Sequence, residues 1–296
     1  MQIAANGITI EVDDRGPTGG ETVLLVMGLG MQLVAWPDAL VADLVRRGFR
    51  VLRMDNRDAG LSTGFDHLGV PNLAIGALRH ALRLPVRAPY GIADMAGDVV
   101  GVLDALGIAQ AHLVGASMGG MVVQHVAAKH PARVASATLM MTTTGARHLR
   151  QPSLKVRGAL MGRPEGRDTD AVVQHFVKVM RLIGSPGYPP DAQALQARLR
   201  ASVTRAYRPA GTARQLMAVA ADGDRGALVR QIRRPTAVIH GRDDPLVPVD
   251  AGRELARLIP GAQLDEIPGM GHDLPAELLP RFAATIVQTA ARAREA

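Results

Sequence analysis

The sequence alternates short apolar runs with stretches of helical periodicity, and this alternation limits the fold more than any other feature of the chain. Apolar runs at 22–27, 49–54 and 112–115 read as buried strands, and a helical pattern at 36–47 separates the first two. Residues 7–12 alternate as an edge strand does. Short buried strands separated by helices are typical of a sheet covered on both faces. We therefore predict an α/β fold with a mostly parallel sheet.

The alternation stops after residue 141 and resumes near residue 232. Between these points we find helical stretches at 170–183 and 191–207, with several prolines and no convincing strand. A helical insertion of roughly 90 residues within one sheet is more economical than two sequential domains. We predict a core domain of 1–141 and 232–296 and a helical cap insertion at 142–231.

Residues 105–128 carry no formal charge over a length that could span a bilayer. Glycines and polar side chains interrupt this run and would need hydrogen-bonding partners in lipid, so a buried strand followed by a buried helix explains it better. The first seven residues contain neither a basic region nor an apolar core of signal-peptide length. We therefore expect a cytoplasmic protein that does not bind membranes.

The composition excludes some kinds of chemistry. The chain has no cysteine, which excludes thiolate nucleophiles and cysteine-ligated metals. The net charge of +7 comes from arginines spread along the whole chain, and 3% aromatic residues are too few for a base-stacking surface. We expect no nucleic-acid partner.

One stretch of the chain holds a local excess of positive charge around a single acid, Glu165. Its basic residues, which we call the basic cluster, are Arg147, Arg150, Lys155, Arg157, Arg163 and Arg167. We expect this cluster to lie at the rim of the cap and to favour anionic substrates.

A Gly-x-Ser-x-Gly sequence, formed by Gly115, Ser117 and Gly119, stands between a predicted strand and a predicted helix. In this context it is the nucleophile-elbow motif, whose tight turn lifts the serine hydroxyl above the carboxyl ends of the strands. The turn needs small neighbours, and both glycines meet that need. The Met118 amide, at the start of the helix, would point at an oxygen bound beside Ser117. Ser117 is our candidate nucleophile and Met118 a candidate oxyanion donor.

A serine nucleophile needs a base, and the base needs an acid that orients it. His272 lies in a glycine-rich loop after the last predicted strand, from which its side chain can reach back over the sheet. Asp243 and Asp244 follow the strand that ends near residue 240, on the side where open α/β sheets bind their ligands. The residues themselves leave both aspartates as candidates for the acid.

A second oxyanion donor is expected in the glycine-rich loop at 27–31, where the Leu29 amide is our choice. The other histidines, His240 among them, are expected to be packed or solvated. No histidine pair has the spacing of metal ligands with an acid nearby, so we expect no metal and no cofactor.

These residues resemble the α/β-hydrolase superfamily over nearly the whole chain. Residues 55–62 look like the family's Asp-x-Arg-Gly-x-Gly-x-Ser loop, and residues 240–245 look like its Gly-x-x-Asp acid loop. The resemblance implies that Asp244 is the catalytic acid and that Asp243 is the fallback. Two residues depart from the family pattern, Met27 where many members have His and Asp58 where Gly is common.

Within the superfamily, the runs at 25–28, 57–63 and 267–272 are similar to the aclacinomycin methylesterase group. This similarity implies ester cleavage but does not fix the substrate, because one fold hosts many reactions. We predict a serine hydrolase of small-molecule carboxylic esters that uses Ser117 and an acyl-enzyme intermediate. A perhydrolase, a lactonase or a carbon-carbon bond hydrolase would use the same triad, and a slow-turnover ligand receptor is the alternative from another class. The sequence leaves open whether the chain forms a homodimer.

Overall fold

Residues 1–295, which the computed structural model describes, form one eight-stranded sheet. The strands are β1 (Gln2–Ala5), β2 (Ile8–Arg15), β3 (Thr22–Val26), β4 (Arg50–Met54), β5 (Ala111–Ala116), β6 (Val134–Met140), β7 (Thr236–Gly241) and β8 (Gln263–Ile267). Their order across the sheet is β1-β2-β4-β3-β5-β6-β7-β8. Only the two pairings of β2 are antiparallel within the described sheet, so the predicted mostly parallel α/β fold is confirmed.

Eleven helices accompany the sheet over the same residues. They are α1 (Asp38–Arg46), α2 (Leu73–Ala81), α3 (Ile92–Ala105), α4 (Met118–Lys129), α5 (Leu154–Met161), α6 (Thr169–Ile183), α7 (Ala192–Arg205), α8 (Pro209–Asp222), α9 (Gly226–Val229), α10 (Asp250–Leu258) and α11 (Leu279–Arg294). None of the helices in this part of the chain is both long enough and apolar enough to cross a bilayer.

Two apolar layers cover the faces of the sheet, because successive strand residues point to opposite sides. On β3, Leu24 and Val26 belong to the apolar layer that includes residues of α3, α4 and α10, whereas Val23 and Leu25 belong to the layer that includes residues of α1 and α11. All five residues of β3 are buried, as expected for a strand in the middle of a doubly covered sheet.

The edge of the sheet differs from the sequence prediction, which placed the edge strand at residues 7–12. The strand there, β2, pairs with β1 on one side and with β4 on the other, so it is an interior strand. The edge strand is β1, a four-residue strand that buries Ile3 and Ala5. So short a strand has too few residues to show a clear alternation.

Residues 142–231, which we call the inserted segment, connect β6 with its neighbour β7. In the described structure this segment contains the five helices α5 to α9 and no strand. It has small apolar cores of its own, one between α6 and α7 and one between α5 and α6. The segment leaves the sheet at the carboxyl end of β6, which is the end where β3, β5, β7 and β8 also deliver their loops.

Candidate active site

Ser117 occupies the turn between β5 and α4 in a conformation that few residues adopt. Its φ of 54° and ψ of −117° lie outside the regions favoured by residues with a side chain. Such a backbone typically costs about 1–3 kcal/mol and persists only where the surrounding structure enforces it. The Ser117 amide donates a hydrogen bond to the Met140 carbonyl on β6, 2.9 Å away. The side chain is left partly exposed at the mouth of the turn.

The two glycines beside Ser117 are required by close backbone contacts. A Cβ atom on Gly115 would lie 2.3 Å from the Gly119 carbonyl oxygen, and one on Gly119 would lie 2.1 Å from the Val26 carbonyl oxygen. No side chain fits at either distance. The structure therefore has the strand-turn-helix geometry that the motif predicts, with Ser117 at its apex.

The loop after β3 lies directly beside Ser117. A Cβ atom on Gly28 would be 3.2 Å from the Ser117 Cβ and 3.7 Å from its Oγ. Among residues 1–295, neither the Leu29 amide nor the Met118 amide donates to a protein acceptor. The Met118 amide also belongs to the first residue of α4, where a helix leaves its N–H groups unpaired. Both amides are therefore available to an oxygen bound at Ser117.

Asp244 and His272 form a buried pair. His272 Nδ1 lies 2.7 Å from Asp244 Oδ2, and the amides of Leu246 and Val247 both donate to Asp244 Oδ1 at 2.8 Å. A carboxylate that accepts from Nδ1–H leaves the lone pair of Nε2 free to take a proton. Asp243 is exposed, and its Oδ2 accepts from the Gly269 amide at 2.7 Å. The structure thus brings His272 together with Asp244 and places Asp243 outside the pair.

His240 lies next to this pair but is engaged with the backbone. Its Nε2 donates to the Val247 carbonyl at 2.8 Å, and the ring is completely buried. Burial lowers the pKa of His240, although the nearby Asp244 opposes the shift. Its neutral ring packs beneath the acid loop, in line with the expectation of a packed histidine. No three His, Asp or Glu side chains in the described part of the chain are grouped as metal ligands.

The loop that carries His272 is held by the inserted segment. The His272 amide donates to the Ile183 carbonyl at the end of α6, 2.7 Å away, and the Gly271 amide donates to Ser185 Oγ at 2.8 Å. Ser185 Oγ also donates to the Asp273 carboxyl group, and Ser185 is itself buried. Two consecutive backbone amides of the histidine loop are therefore bound by residues at and just after the end of α6.

Asp58, one of the two residues that depart from the family pattern, has a structural role. It adopts a φ of 65°, and its carboxylate accepts two hydrogen bonds from Arg214 on α8 and one from the Tyr90 hydroxyl, all at 2.7–2.8 Å. Burial by itself would raise the pKa of Asp58, but the hydrogen bonds from Arg214, Phe65 and Tyr90 outweigh it and lower the pKa. The substitution thus ties the loop after β4 to the inserted segment.

Sequence analysis did not identify Ser185, Arg214 and Gln215, which contact the loops of the site. All three are buried polar side chains in or after helices of the inserted segment. No local motif marks them, because each of their partners lies many residues away in sequence. The only signal in the sequence is that Arg214 and Gln215 stand directly before an apolar run at residues 216–221.

The basic cluster lies at the surface of the inserted segment. All six of its side chains are exposed, and none forms an ion pair with another residue of the described chain. Glu165, the single acid of this stretch, is bound by Lys178 at 2.9 Å. The positive charge of the cluster is therefore uncompensated.

Comparisons with known proteins place the chain in a family and identify its relatives. The sequence matches the alpha/beta hydrolase fold family over residues 21–277. It is 28% identical to rhodomycin D methylesterase of Streptomyces peucetius, with 96% of this chain and 95% of the relative aligned. It is 29% identical to a 2-hydroxy-6-oxononadienedioate/2-hydroxy-6-oxononatrienedioate hydrolase of Cupriavidus pinatubonensis, over 89% of this chain and 84% of the relative.

Among solved structures, the chain is similar to a meta-cleavage product hydrolase from Pseudomonas fluorescens. The TM-score is 0.77 at 21% identity, and the match covers 99% of this chain and 98% of the other. At that identity the likeness concerns the fold, inserted segment included.

Proposed function

The chain belongs to the alpha/beta hydrolase fold family, and we propose that it is a serine hydrolase that cleaves carboxylic esters through an acyl-enzyme intermediate. The observation that carries the proposal is the 2.7 Å contact between His272 Nδ1 and the buried Asp244, at the same edge of the sheet as the strained Ser117 turn. A nucleophile, a base and an orienting acid are the parts that acyl transfer requires.

In the first half of the reaction, Ser117 Oγ attacks the ester carbonyl carbon while His272 Nε2 takes the hydroxyl proton. A carbon-oxygen bond forms, and the carbonyl oxygen becomes an oxyanion. The amides of Leu29 and Met118 donate hydrogen bonds to that oxygen. His272 then delivers its proton to the alcohol oxygen as the ester bond breaks, and the acyl group remains on Ser117.

In the second half, a water molecule gives a proton to His272 Nε2 and attacks the acyl carbon. The tetrahedral intermediate collapses, Ser117 Oγ regains the proton from His272, and the acid leaves. Asp244 stays ionised throughout, because it orients the imidazole and stabilises its charged form. The fixed Leu246 and Val247 amides support this role by holding the second carboxyl oxygen.

The inserted segment is proposed to act as the cap that limits substrate size. It starts at the carboxyl end of β6, next to the Ser117 turn, and its residues contact both the loop after β3 and the loop of His272. Pockets formed between a sheet edge and such helices are common ligand sites.

Carbon-carbon bond hydrolysis is the second candidate, since the relative from Cupriavidus pinatubonensis matches nearly as much of the chain as the methylesterase does. The two candidates differ in substrate. We expect turnover of methyl and nitrophenyl esters and little turnover of a 2-hydroxy-6-oxo dienoate. A rate on the dienoate that exceeds every ester by an order of magnitude would favour the second candidate.

The test of the nucleophile compares two serine variants on a short nitrophenyl ester. Ser117→Ala should lower kcat by at least about 10⁴-fold with an unchanged fold, because no hydroxyl remains to attack. Ser136→Ala removes a buried hydroxyl on β6 that contacts His112, and it should retain most of the activity. An undiminished rate in folded Ser117→Ala would overturn the proposal.

A further inference from the structure

Gln215 connects the inserted segment to the loop beside Ser117. It lies on α8 and is completely buried. Its Oε1 accepts a hydrogen bond from the Gly30 amide at 2.8 Å, and its Nε2 donates to the Arg57 carbonyl at 2.7 Å. Both ends of the amide are therefore used, which fixes its orientation.

The Gly30 amide belongs to the peptide that follows Leu29, the residue proposed to donate to the oxyanion. The peptide before Leu29 is fixed by a second bond, because the Gly28 carbonyl accepts from the Met31 amide at 3.2 Å. In a planar trans peptide the Leu29 N–H points opposite to the Gly28 carbonyl. Since the peptides on both sides of Leu29 are held, the direction of its N–H is set.

Gly30 also adopts the left-handed backbone that glycine permits, with a φ of 66°. Its Cα faces Thr212 on α8, where an added Cβ would lie 2.7 Å from Thr212 Oγ1. The loop therefore rests on α8 at two neighbouring points, Thr212 and Gln215. Arg214, between them, ties the same helix to Asp58.

Removal of the Gln215 side-chain amide should destabilise the loop beside Ser117. Without Gln215, the buried Arg57 carbonyl and the half-buried Gly30 amide would both lose their partner, which is costly where water cannot replace the lost bond. The glycine-rich loop could relieve that cost by rotating the peptides around Leu29. Such a rotation would turn the Leu29 N–H away from Ser117.

We propose that Gln215 is a positioning residue that keeps the Leu29 amide aimed at the oxyanion formed at Ser117. This inference rests on the proposed serine hydrolase function. The inserted segment then has a second role besides covering the site, because Gln215 on α8 positions the loop that donates to the oxyanion.

The experiment uses the variant Gln215→Met, which has a similar volume and no hydrogen-bonding groups. We expect kcat for a nitrophenyl ester to fall about 10- to 100-fold while KM changes less than about threefold, since oxyanion donors act in the transition state. A boronic acid that forms a tetrahedral adduct with the serine should bind more weakly by a similar factor. A merely structural role would not produce matched losses in kcat and boronate affinity.

The matched control is Gln124→Met on α4. Gln124 is also completely buried and also uses both ends of its amide, toward Arg225 and the Thr143 carbonyl. This variant should keep kcat and boronate affinity within about threefold, provided that thermal unfolding shows a folded protein.

If Gln215→Met does not fold, Gly30→Ala supplies the second test, because its methyl group must push the loop away from Thr212. It should give the same loss of kcat with little change in KM. Wild-type kcat and boronate affinity in a folded Gln215→Met or Gly30→Ala variant would overturn the inference. An active Ser117→Ala would instead overturn the proposed function, so the two failures are distinguishable.

Discussion

The two halves of the candidate site are held in place by different parts of the molecule. In one half, which we call the sheet-held half, Ser117 is fixed by the glycines of its turn and by the Met140 carbonyl on β6. Asp244, in the same half, is fixed by two amides of its own loop. These contacts lie within the sheet and its immediate turns.

The other half, the segment-held half, consists of the loops that carry Leu29 and His272. Gln215 bonds the first loop, and Ile183 and Ser185 bond the second. The difference shows that the core around the sheet holds the nucleophile and the acid, whereas the inserted segment holds the loops that align the base and the oxyanion donor with them. Substitutions in the inserted segment should therefore change the rate without touching the nucleophile or its acid.

The largest effect is expected inside the sheet-held half, from Asp244→Asn. An amide at this position can hold His272 in the wrong tautomer, so kcat should fall about 10³- to 10⁴-fold with little change in KM. Asp243→Asn is the matched control and should stay within about threefold, because among the described residues the Asp243 carboxylate accepts from the Gly269 amide alone, and an amide oxygen can accept the same bond. Steady-state kinetics on the same ester measures both. Equal losses in the two variants would contradict the assignment of Asp244.

The next effect concerns the attachment of the inserted segment. Arg214→Met leaves the buried Asp58 without its two strongest hydrogen bonds, which should lower the free energy of unfolding by about 3–5 kcal/mol. Arg200→Met removes an exposed partner of Asp170 on the same segment and should cost less than about 1 kcal/mol. Urea unfolding compares the two. Similar costs would mean that the Arg214 contact does not anchor α8.

Acid should weaken two parts of the structure at different pH: the packing of His240 beside Asp244, and the attachment of the inserted segment through Asp58. The pKa of His240, next to Asp244, is lowered by burial from 6.5, so the unfolded chain binds a proton that the folded one rejects. Stability from this group is therefore lost as the pH falls below about 6.5. The pKa of Asp58 lies below 3.8, so its contribution to stability is present above that pH and is lost only as the pH falls further.

The pH prediction is checked by urea unfolding at pH 7.5 and pH 5.5. His240→Gln, whose amide can still donate to the Val247 carbonyl, should lose less stability between these pH values than the wild type does. A wild-type protein and a variant with the same pH slope would show that His240 is not the group responsible.

The smallest effect is expected at the surface, from the basic cluster. Its uncompensated charge should attract anionic esters, so KM for such an ester should rise a few-fold between about 0.05 and 0.5 M salt. Arg157→Gln combined with Arg163→Gln should weaken this dependence. Arg233→Gln, just before the amino end of β7 and therefore at the end of the sheet opposite Ser117, should leave the salt dependence unchanged. If KM for a neutral ester showed the same salt dependence, the basic cluster would not be what attracts anionic substrates.

The candidate residues of the sheet-held half could be identified from the sequence, because their determinants are local. Ser117 lies in a five-residue pattern between a strand and a helix, and both elements follow from apolar periodicity. The resemblance singled out Asp244 from its neighbour, and the structure sets it against His272. The mostly parallel pairing of the strands also follows from their alternation with helices.

The segment-held half could not be predicted in the same way. Ser185 and Gln215 bond backbone groups 86 and 185 residues away, so nothing beside them in the sequence reveals their partners. The partner of Asp58 is equally remote, because Arg214 lies 156 residues away in the sequence. Helix α2 was not predicted, although Asn72 caps it by accepting from the Ile75 amide. Two of its large apolar side chains, Ile75 and Leu78, are exposed, so the helix lacks the regular apolar face that marks a packed helix in a sequence.

The measurement that tests the central claim most directly is labelling with a fluorophosphonate, followed by peptide mass spectrometry. An activated serine attacks this reagent and keeps a stable phosphonyl group on its oxygen. We predict one label per chain on Ser117, loss of ester hydrolysis in proportion to labelling, and little labelling of the His272→Ala variant. A label on another residue, or full esterase activity in protein labelled at Ser117, would contradict the account.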